Sequence, residues 1–155
     1  MNITFHKADL NDIQTLIDTR IRFALELTGK QSQEAIDQLK TEMKNYFLKA
    51  MPDNSCISFI ARCDDKLAGS GSVQIREQPG NFKNPSGKWG YIMSMYTLPE
   101  FRRKGICKGI LSALIKEAQQ MGITAFELHA TEAGELVYTQ NGFERHVEPT
   151  LRRYI

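Results

Sequence analysis

The feature that most restricts the fold is a junction where a strand passes into a helix. Residues 90–98 are rich in aromatic and aliphatic side chains and stop at Pro99, as a strand does when it enters a turn. Three consecutive cations at 102–104 and then Gly105 follow, and a helical spacing of apolar residues begins at Ile106. This order of strand, basic turn and amphipathic helix predicts a mixed α/β domain.

The same junction has the composition of a phosphate-binding site. The first N–H groups of a helix have no intrahelical partner and lie at the positive end of the helix dipole, and here three cations accompany them. A glycine at position 105 lets the backbone approach an anion closely. The sequence therefore predicts a pyrophosphate site, formed by Arg102, Arg103, Lys104, Gly105, Ile106, Cys107, Lys108 and Gly109.

This basic run has competing interpretations. Taken alone, three cations in a row are typical of a solvated turn. Neither GxxxxGK[ST] nor GxGxxG occurs in the chain, so a Walker-type or dinucleotide-binding loop is not indicated. A nucleic-acid-binding role, using this run together with Arg152 and Arg153, is disfavoured by a net charge of only +2, because such proteins carry a strong basic excess.

Length and composition fit one globular domain spanning residues 1–155. The apolar and charged fractions, 41% and 25%, are those of a folded soluble domain. No stretch approaches the roughly 18 apolar residues that a membrane span requires, and residues 1–7 do not resemble a secretory signal. Three cysteines without CxxC spacing disfavour a disulfide framework or a zinc site. The expected location is the cytoplasm, and no metal ion, membrane or nucleic acid is expected to take part.

The periodicities along the whole chain predict the element order β-α-α-β-β-β-α-β-α-β-β. Gly29 and Ser32 separate the two early helices, the first as a stop and the second as an N-cap. Glycine and serine alternate in residues 69–72, which indicates a bulge or a close backbone approach in that strand. The last two strands are predicted at 143–147 and 150–155. The fold class is thus mixed α/β, of the α+β type.

Residues 98–111, LPEFRRKGICKGIL, resemble the acetyl-CoA-binding motif of the GNAT acetyltransferase superfamily, in which a P-E-[YF]-R-x-x-G-x-[GA] pattern precedes an apolar helix. Arg102 and Gly105 match the pattern, and Cys107 stands where Gly or Ala is usual. Cys is still small, so the motif is kept, and Cys107 is expected to be a small buried residue at the helix start. The alternative is that the helix N-terminus lowers its pKa and makes it sensitive to oxidation. The resemblance implies a central, mostly antiparallel sheet flanked by helices, and acetyl-CoA as co-substrate.

A second match lies near the C-terminus. Residues 133–143, AGELVYTQNGF, are similar to the family's A-x-x-[LF]-Y-x-x-x-G-F pattern, whose tyrosine protonates the leaving CoA thiolate. The resemblance therefore implies that Tyr138 is the general acid, although a tyrosine there also fits a core position with its hydroxyl at the surface. Gly134 stands where Ala is usual, and Thr131 takes the place of a CoA-contacting Asn, where its hydroxyl can supply one hydrogen bond.

The resemblance also places the acetyl end of the donor along one strand. Family members polarise the thioester carbonyl with a backbone N–H at a bulge in the strand before the basic turn, which corresponds to residues 93–97. Met95, Tyr96 and Thr97 are therefore expected to line the pantetheine arm and the acetyl group. This strand contains no carboxylate, and the general base stays open among four side chains: Glu77, Glu132, Glu135 and His129.

The predicted function is direct transfer of an acetyl group from acetyl-CoA to a primary amine, of a small molecule or of a peptide or protein. The alternative is a domain that binds acetyl-CoA or CoA without turning it over, as a sensor or structural module. The basic turn fits both, and Tyr138 favours the enzyme. The sequence does not specify the acceptor or the oligomeric state, so a homodimer stays open. The acceptor site is expected to be built by the first two helices, the loop at 79–88 and the C-terminal strands, with these candidates: Arg20, Arg22, Tyr46, Trp89 and Tyr91.

Overall fold

The computed structural model describes residues 1–155, which form one five-stranded sheet with helices on both faces. The strands follow one another across the sheet in chain order, antiparallel except for the last, parallel pair. This confirms the predicted mixed α/β class with a mostly antiparallel sheet. In chain order the elements are β1 (Ile3–Lys7), α1 (Ile13–Thr28), α2 (Gln33–Ala50), β2 (Cys56–Cys63), β3 (Lys66–Glu77), β4 (Lys88–Thr97), α3 (Ile106–Gln120), β5 (Phe126–Leu128) and α4 (Glu135–Thr139).

The boundaries of the two early helices follow from local chemistry. Gly29 ends α1 with a φ of 82°, a conformation that favours glycine. Ser32 Oγ accepts the Ala35 N–H and so caps α2. The predicted separation of these helices at Gly29 and Ser32 is confirmed. Neither they nor any other helix combines the length and apolar character needed to cross a bilayer.

Alternation along β2 divides the core between the two faces of the sheet. Ile57 and Ala61 pack on the face that α3 covers, whereas Cys56 and Ile60 pack on the face that α1 and α2 cover. The α3 face buries four large apolar side chains of that helix, Ile106, Ile110, Leu111 and Leu114. With both faces covered, the strand edges are the places where a ligand can reach the backbone of the sheet.

The two C-terminal strands predicted at 143–147 and 150–155 are wrong, because residues 143–155 contain neither helix nor strand. We call these residues the C-terminal tail. Val147 and Leu151 in the tail are 93% and 88% exposed, so these apolar side chains have no sheet face to pack against. A strand needs a paired neighbour as well as apolar side chains, and β5 at this side of the sheet is only 3 residues long.

Candidate functional site

The candidate site is a gap in the sheet beside the end of β4. β5 pairs with β4 only from Gly90 to Ile92, whereas β4 continues to Thr97. Residues 93–97 therefore have an edge that no strand covers. Such an edge offers N–H and C=O groups to an extended ligand. The three residues predicted to line the donor, Met95, Tyr96 and Thr97, lie in this stretch.

A bulge in β4 lies within the same stretch. The register between β3 and β4 shifts between Ser70 and Ser72, so that Ser94 and Met95 both lie opposite Gly71. Ser94 has a φ of 57°, a left-handed conformation that is costly for serine. A Cβ on Gly69 would come within 2.5 Å of the Tyr96 carbonyl oxygen, so the absence of a side chain there lets the backbones of β3 and β4 approach closely. The close backbone approach predicted from the glycine–serine alternation is confirmed at Gly69.

The basic turn and the first turn of α3 follow directly after this edge. Gly105 is the N-cap of α3 with a φ of 79°, and a Cβ there would contact nothing within 4 Å. Glycine is thus needed for its conformation and not for space. Arg103 and Lys104 are exposed, and the N–H groups of residues 106–108 have no helical partner. The turn therefore combines free backbone donors with exposed cations, as an anion site requires.

Two residues of the predicted pyrophosphate site have other contacts in the fold. Arg102 Nη2 donates two hydrogen bonds of 2.8 Å to the carboxylate of Glu26 in α1, and its Nε donates to the Thr97 carbonyl at 3.0 Å. At Gly109, a Cβ would come within 2.0 Å of the Phe5 ring in β1. Arg102 therefore ties the turn to α1, and Gly109 lets α3 pack closely on the sheet.

Tyr138 is buried next to the first turn of α3. Its exposed fraction is 8%, and its ring packs edge-on against Phe143 with centroids 6.1 Å apart. Burial, and after it the contact with the Cys107 thiol, raises the pKa of Tyr138 above the ordinary value of a phenol. A phenol with a raised pKa keeps its proton at neutral pH and is suited to donate it to a stronger base.

Cys107 is half-buried in the first turn of α3. Burial raises the pKa of its thiol, and the hydrogen bond with Tyr138 offsets only part of that rise. This direction agrees with the expected small packed residue and not with the alternative of a reactive thiol. All three cysteines are unpaired, and no cluster of His, Cys, Asp or Glu side chains is placed to hold a metal ion.

Thr131 begins the turn that leads into α4. Its Oγ1 accepts the Gly134 N–H at 3.2 Å, and its carbonyl accepts the N–H groups of Gly134 and Glu135. The hydroxyl hydrogen has no acceptor in the protein, so it can still be donated to a ligand. Thr131 therefore shapes the turn before Tyr138 and keeps one donor free.

The candidate bases differ in how much they are engaged. Glu135 binds Arg145 through two hydrogen bonds, which lower its pKa and weaken it as a base. His129 is exposed and packs edge-on against Tyr91, with centroids 5.7 Å apart. Glu127, which sequence reasoning missed, pairs in register with Tyr91 and so lies on the same side of the sheet as that ring. The other two candidates are exposed and form no side-chain hydrogen bond: Glu77 and Glu132.

A cavity of about 750 Å³ lies between β5, α4 and the C-terminal tail. Tyr138 and His129 both line it, and Phe126, Leu128 and Phe143 form much of its apolar wall. The fold thus brings the candidate acid to a common space with two candidate bases, His129 and Glu135, and with Glu127. Trp89, predicted near the acceptor, also lines this cavity.

The other acceptor-side candidates lie at or near the face covered by α1 and α2. Arg20 of α1 donates a hydrogen bond to Ser94 Oγ at the bulge, and the Tyr46 hydroxyl of α2 is buried. Tyr91 carries the Arg76 guanidinium over its ring, 3.7 Å from the centroid. Arg22 is exposed. The structure therefore brings Arg20 to the bulge that lies within the open edge of β4.

Three solved structures resemble this chain over nearly its whole length. A Clostridium acetobutylicum protein, described as a predicted acetyltransferase and crystallised with acetyl-CoA, shares 28% identity with a TM-score of 0.87, over 98% of this chain and 96% of its own. A GCN5-related N-acetyltransferase from Ralstonia eutropha shares 20% identity with a TM-score of 0.85, over 98% and 99% of the two chains. An aminoglycoside N-acetyltransferase in complex with CoA shares 17% identity with a TM-score of 0.74, over 99% and 95%.

No protein of curated function has a sequence that matches this chain significantly. The model of the family described as "Acetyltransferase (GNAT) family" does match, and it covers residues 22–143. That range includes the bulged strand, the basic turn, the first turn of α3 and Tyr138. Because the match extends over well more than half of the sequence, this chain belongs to the GNAT acetyltransferase family and is an acyltransferase.

Proposed function

We propose that this protein transfers the acetyl group of acetyl-CoA to a primary amine, with Tyr138 as the general acid. The observation that carries the proposal is the open edge of β4, which leads directly into the N-terminus of α3. The pantetheine arm of CoA is an extended chain with two amides, which can pair with the backbone of residues 93–97. Its pyrophosphate then meets the N–H groups of α3 and the two exposed cations, Arg103 and Lys104. Two of the similar structures contain acetyl-CoA or CoA.

The proposed reaction is a direct transfer. The amine lone pair attacks the acetyl carbonyl carbon, and the carbon–sulfur bond breaks with its electron pair going to sulfur. The Tyr138 hydroxyl gives its proton to the thiolate, and the proton lost by the amine leaves through a base. The products are the N-acetylated amine and CoA with a free thiol. The unpaired cysteines fit our proposal that this takes place in the reducing cytoplasm.

His129 and Glu127 are the two groups beside Tyr91 that can accept the amine proton, directly or through water. Both line the same cavity as Tyr138. We propose His129 as the base, because an imidazole exchanges protons near neutral pH more readily than a carboxylate does. A His129→Gln variant should lower kcat/KM at neutral pH by more than Glu127→Gln does. A loss of kcat/KM in Glu127→Gln alone assigns the role to Glu127 instead.

The experiment that tests the transferase function is single-turnover acetyl transfer to a panel of small amines and one peptide N-terminus. Tyr138→Phe should slow transfer by about 10²- to 10⁴-fold while acetyl-CoA still binds. Tyr154→Phe, at a tyrosine that is 88% exposed, is the matched control and should transfer at the wild-type rate. If acetyl-CoA binds and nothing in the panel is acetylated, the protein is a binding module and not this enzyme. A Tyr138→Phe variant as fast as wild type removes Tyr138 from the role of acid.

We also propose that the protein is a homodimer. The supporting observation is the C-terminal tail, in which four apolar side chains, Val147, Leu151, Tyr154 and Ile155, are exposed beside the short edge strand β5. Clustered exposed apolar side chains mark interaction surfaces, and an uncovered strand edge accepts a strand from another chain. Light scattering at micromolar concentration should give a dimer for wild type and a monomer after Val147→Ser and Leu151→Ser together. A monomeric wild type contradicts this proposal.

A further inference from the structure

A half-buried cation lies on the acceptor side of the bulge without an acidic partner. Arg20 extends from α1 to β4, where its Nη1 donates to Ser94 Oγ. This is the only side-chain hydrogen bond that Arg20 makes, and it takes part in none of the ion pairs of the chain. A guanidinium has five N–H donors, so most donors of Arg20 have no acceptor in the protein. A partly desolvated cation with free donors is suited to bind an anion.

The acidic side chains of α1 near Arg20 are engaged elsewhere. Glu26 accepts two hydrogen bonds of 2.8 Å from Arg102, and Asp18 accepts one of 2.9 Å from Gln14. The anion that Arg20 can bind is therefore not supplied by its own helix.

A buried hydroxyl without a hydrogen-bond partner lies on the same face of the sheet. The Tyr46 hydroxyl of α2 is the only buried side-chain polar atom of the chain in that condition. Burial, and after it the Cys56 thiol, raises the pKa of Tyr46, and the Arg20 charge and the Gln74 side chain offset part of the rise. Arg20 is therefore within electrostatic range of the hydroxyl, and the Cys56 and Gln74 side chains lie near it without forming a hydrogen bond of good geometry. An un-ionised phenol can donate a hydrogen bond to an oxyanion.

The neighbouring buried hydroxyls on this face form hydrogen bonds with one another, whereas Arg20 and Tyr46 retain donors without an acceptor. Thr19 Oγ1 lies 2.6 Å from Ser70 Oγ, and Ser58 Oγ lies 2.7 Å from Ser72 Oγ. Unmatched hydrogen-bonding capacity is therefore concentrated at the Arg20 guanidinium and the Tyr46 hydroxyl, next to the bulge.

We propose that the acceptor is a primary amine that also carries a carboxylate or phosphate group, and that Arg20, assisted by Tyr46, binds this anion. The inference rests on the proposed acetyltransferase activity and specifies its acceptor. Ser94 directly precedes Met95, so an anion at Arg20 lies beside the stretch expected to hold the acetyl group. A small molecule bound there by its anion has its amine within reach of the thioester. A polycationic amine meets a like charge at the same place and is disfavoured.

Matched pairs of amines test this specificity. Each α-amino acid is compared with its amide, and phosphoethanolamine with ethanolamine, so that each pair differs in the anion and the two arms separate carboxylate from phosphate. In wild type, kcat/KM should be about 10- to 100-fold higher for the anionic member of at least one pair, mainly through KM. In Arg20→Gln this ratio should fall to near one, and Arg20→Lys should retain part of it.

The matched control is Arg62→Gln. Arg62 is a half-buried arginine of β2 whose guanidinium makes one side-chain hydrogen bond, to the Asp65 carbonyl, away from the bulge. Its replacement should leave the anionic-to-neutral ratio unchanged. The proposal is overturned if wild type prefers the neutral amines, if the preference survives in Arg20→Gln, or if Arg20→Gln slows both members of every pair alike. The last result would make Arg20 a structural or carbonyl-polarising residue.

A binding measurement separates this inference from the transferase function. Acetate and inorganic phosphate are titrated while the Nε–H resonance of Arg20 is followed by NMR, with chloride as the control anion. One of the two anions should shift the resonance with saturation in wild type, and more weakly in Tyr46→Phe. No shift beyond that of chloride overturns the anion site. If the shift occurs while no amine in the panels is acetylated, the anion site stands and the proposed transferase function fails.

Discussion

The donor side and the acceptor side of the bulged strand differ in the chemistry that each presents. On the donor side, the groups available to acetyl-CoA are mostly backbone: the open edge of residues 93–97 and the first N–H groups of α3. On the proposed acceptor side, they are side chains from α1 and α2, above all Arg20 and Tyr46. A backbone site tolerates many sequences as long as the glycines and the bulge are kept. In our proposal the choice of acceptor depends on few side chains, and exchanging them should change specificity without changing the donor.

The largest expected effect concerns Tyr138, the proposed general acid. Because burial and the contact with Cys107 raise the pKa of Tyr138 above that of an ordinary phenol, the proposed acid stays protonated up to about pH 10. Measured kcat should therefore show no loss on the alkaline side below pH 10, and above it should fall toward the rate of Tyr138→Phe. If the kcat of the wild type falls near pH 8 and the kcat of Tyr138→Phe does not, the pKa of Tyr138 is not raised.

The same raised pKa affects stability, with a definite sign. The unfolded chain loses the Tyr138 proton near pH 10, whereas the folded protein retains it. Above that pH the unfolded state binds fewer protons, so the free energy of unfolding falls as the pH rises. Below pH 10 this contribution is fully present. Urea unfolding between pH 8 and pH 11 should show a smaller decline for Tyr138→Phe than for wild type.

Substitutions of Gly105 and Gly109 should show which of these glycines serves acetyl-CoA binding and which serves the packing of α3. Gly109→Ala brings a Cβ into the Phe5 ring and should lower the free energy of unfolding by about 1–3 kcal/mol, a loss that Phe5→Ala in the same chain relieves. The Cβ of Gly105→Ala contacts no other atom, but alanine is strained at a φ of 79°. This strain should lower the free energy of unfolding by about 1–2 kcal/mol, and adding Phe5→Ala should not restore it. Urea unfolding checks both.

Acetyl-CoA affinity, measured by calorimetry, completes this comparison. Gly105→Ala should weaken binding, because it disturbs the start of α3, while the Gly109→Ala, Phe5→Ala double variant should bind as wild type does. If the double variant binds acetyl-CoA weakly, Gly109 contributes to pyrophosphate binding, as the sequence predicted.

The hydrogen bond between the buried hydroxyls of Thr19 and Ser70 should make the effects of substituting them on the free energy of unfolding non-additive. Thr19→Val leaves the buried Ser70 hydroxyl without its partner at 2.6 Å and should cost about 1–3 kcal/mol of unfolding free energy. Adding Ser70→Ala removes the unpaired hydroxyl, so the double variant should be more stable than Thr19→Val alone. Two additive losses in a double-mutant cycle would show that the pair contributes no coupling energy.

The sequence predicted local backbone features better than contacts between distant elements, for a physical reason. Gly29, Gly105 and the glycine–serine alternation of β3 restrict the backbone locally, so their consequences can be read from neighbouring residues. Arg20 and Ser94 are 74 residues apart in the sequence, so no local spacing pattern could predict their contact. Glu127 was missed because only the parallel pairing of β5 with β4 brings it beside Tyr91.

The C-terminal tail shows the opposite error. The sequence predicted two strands there, yet Val147 and Leu151 are exposed and unpaired. Apolar side chains indicate which positions can face a core, but they do not supply the neighbouring strand. Whether such a segment pairs is decided by the edge available to it, and β5 offers Phe126–Leu128 alone.

The smallest expected effect lies at the contact between the two sides. Arg102 is held by Glu26 and by the Thr97 carbonyl, so it should act on acetyl-CoA by fixing the turn and not as a direct ligand. Because exposed ion pairs contribute about 0.2–1 kcal/mol, Glu26→Gln should weaken acetyl-CoA binding by roughly two- to fivefold. Arg102→Gln should do the same, and the double variant should add nothing further. If Glu26→Gln instead strengthens binding, the freed guanidinium is a ligand of the pyrophosphate, and α1 competes with the donor for it.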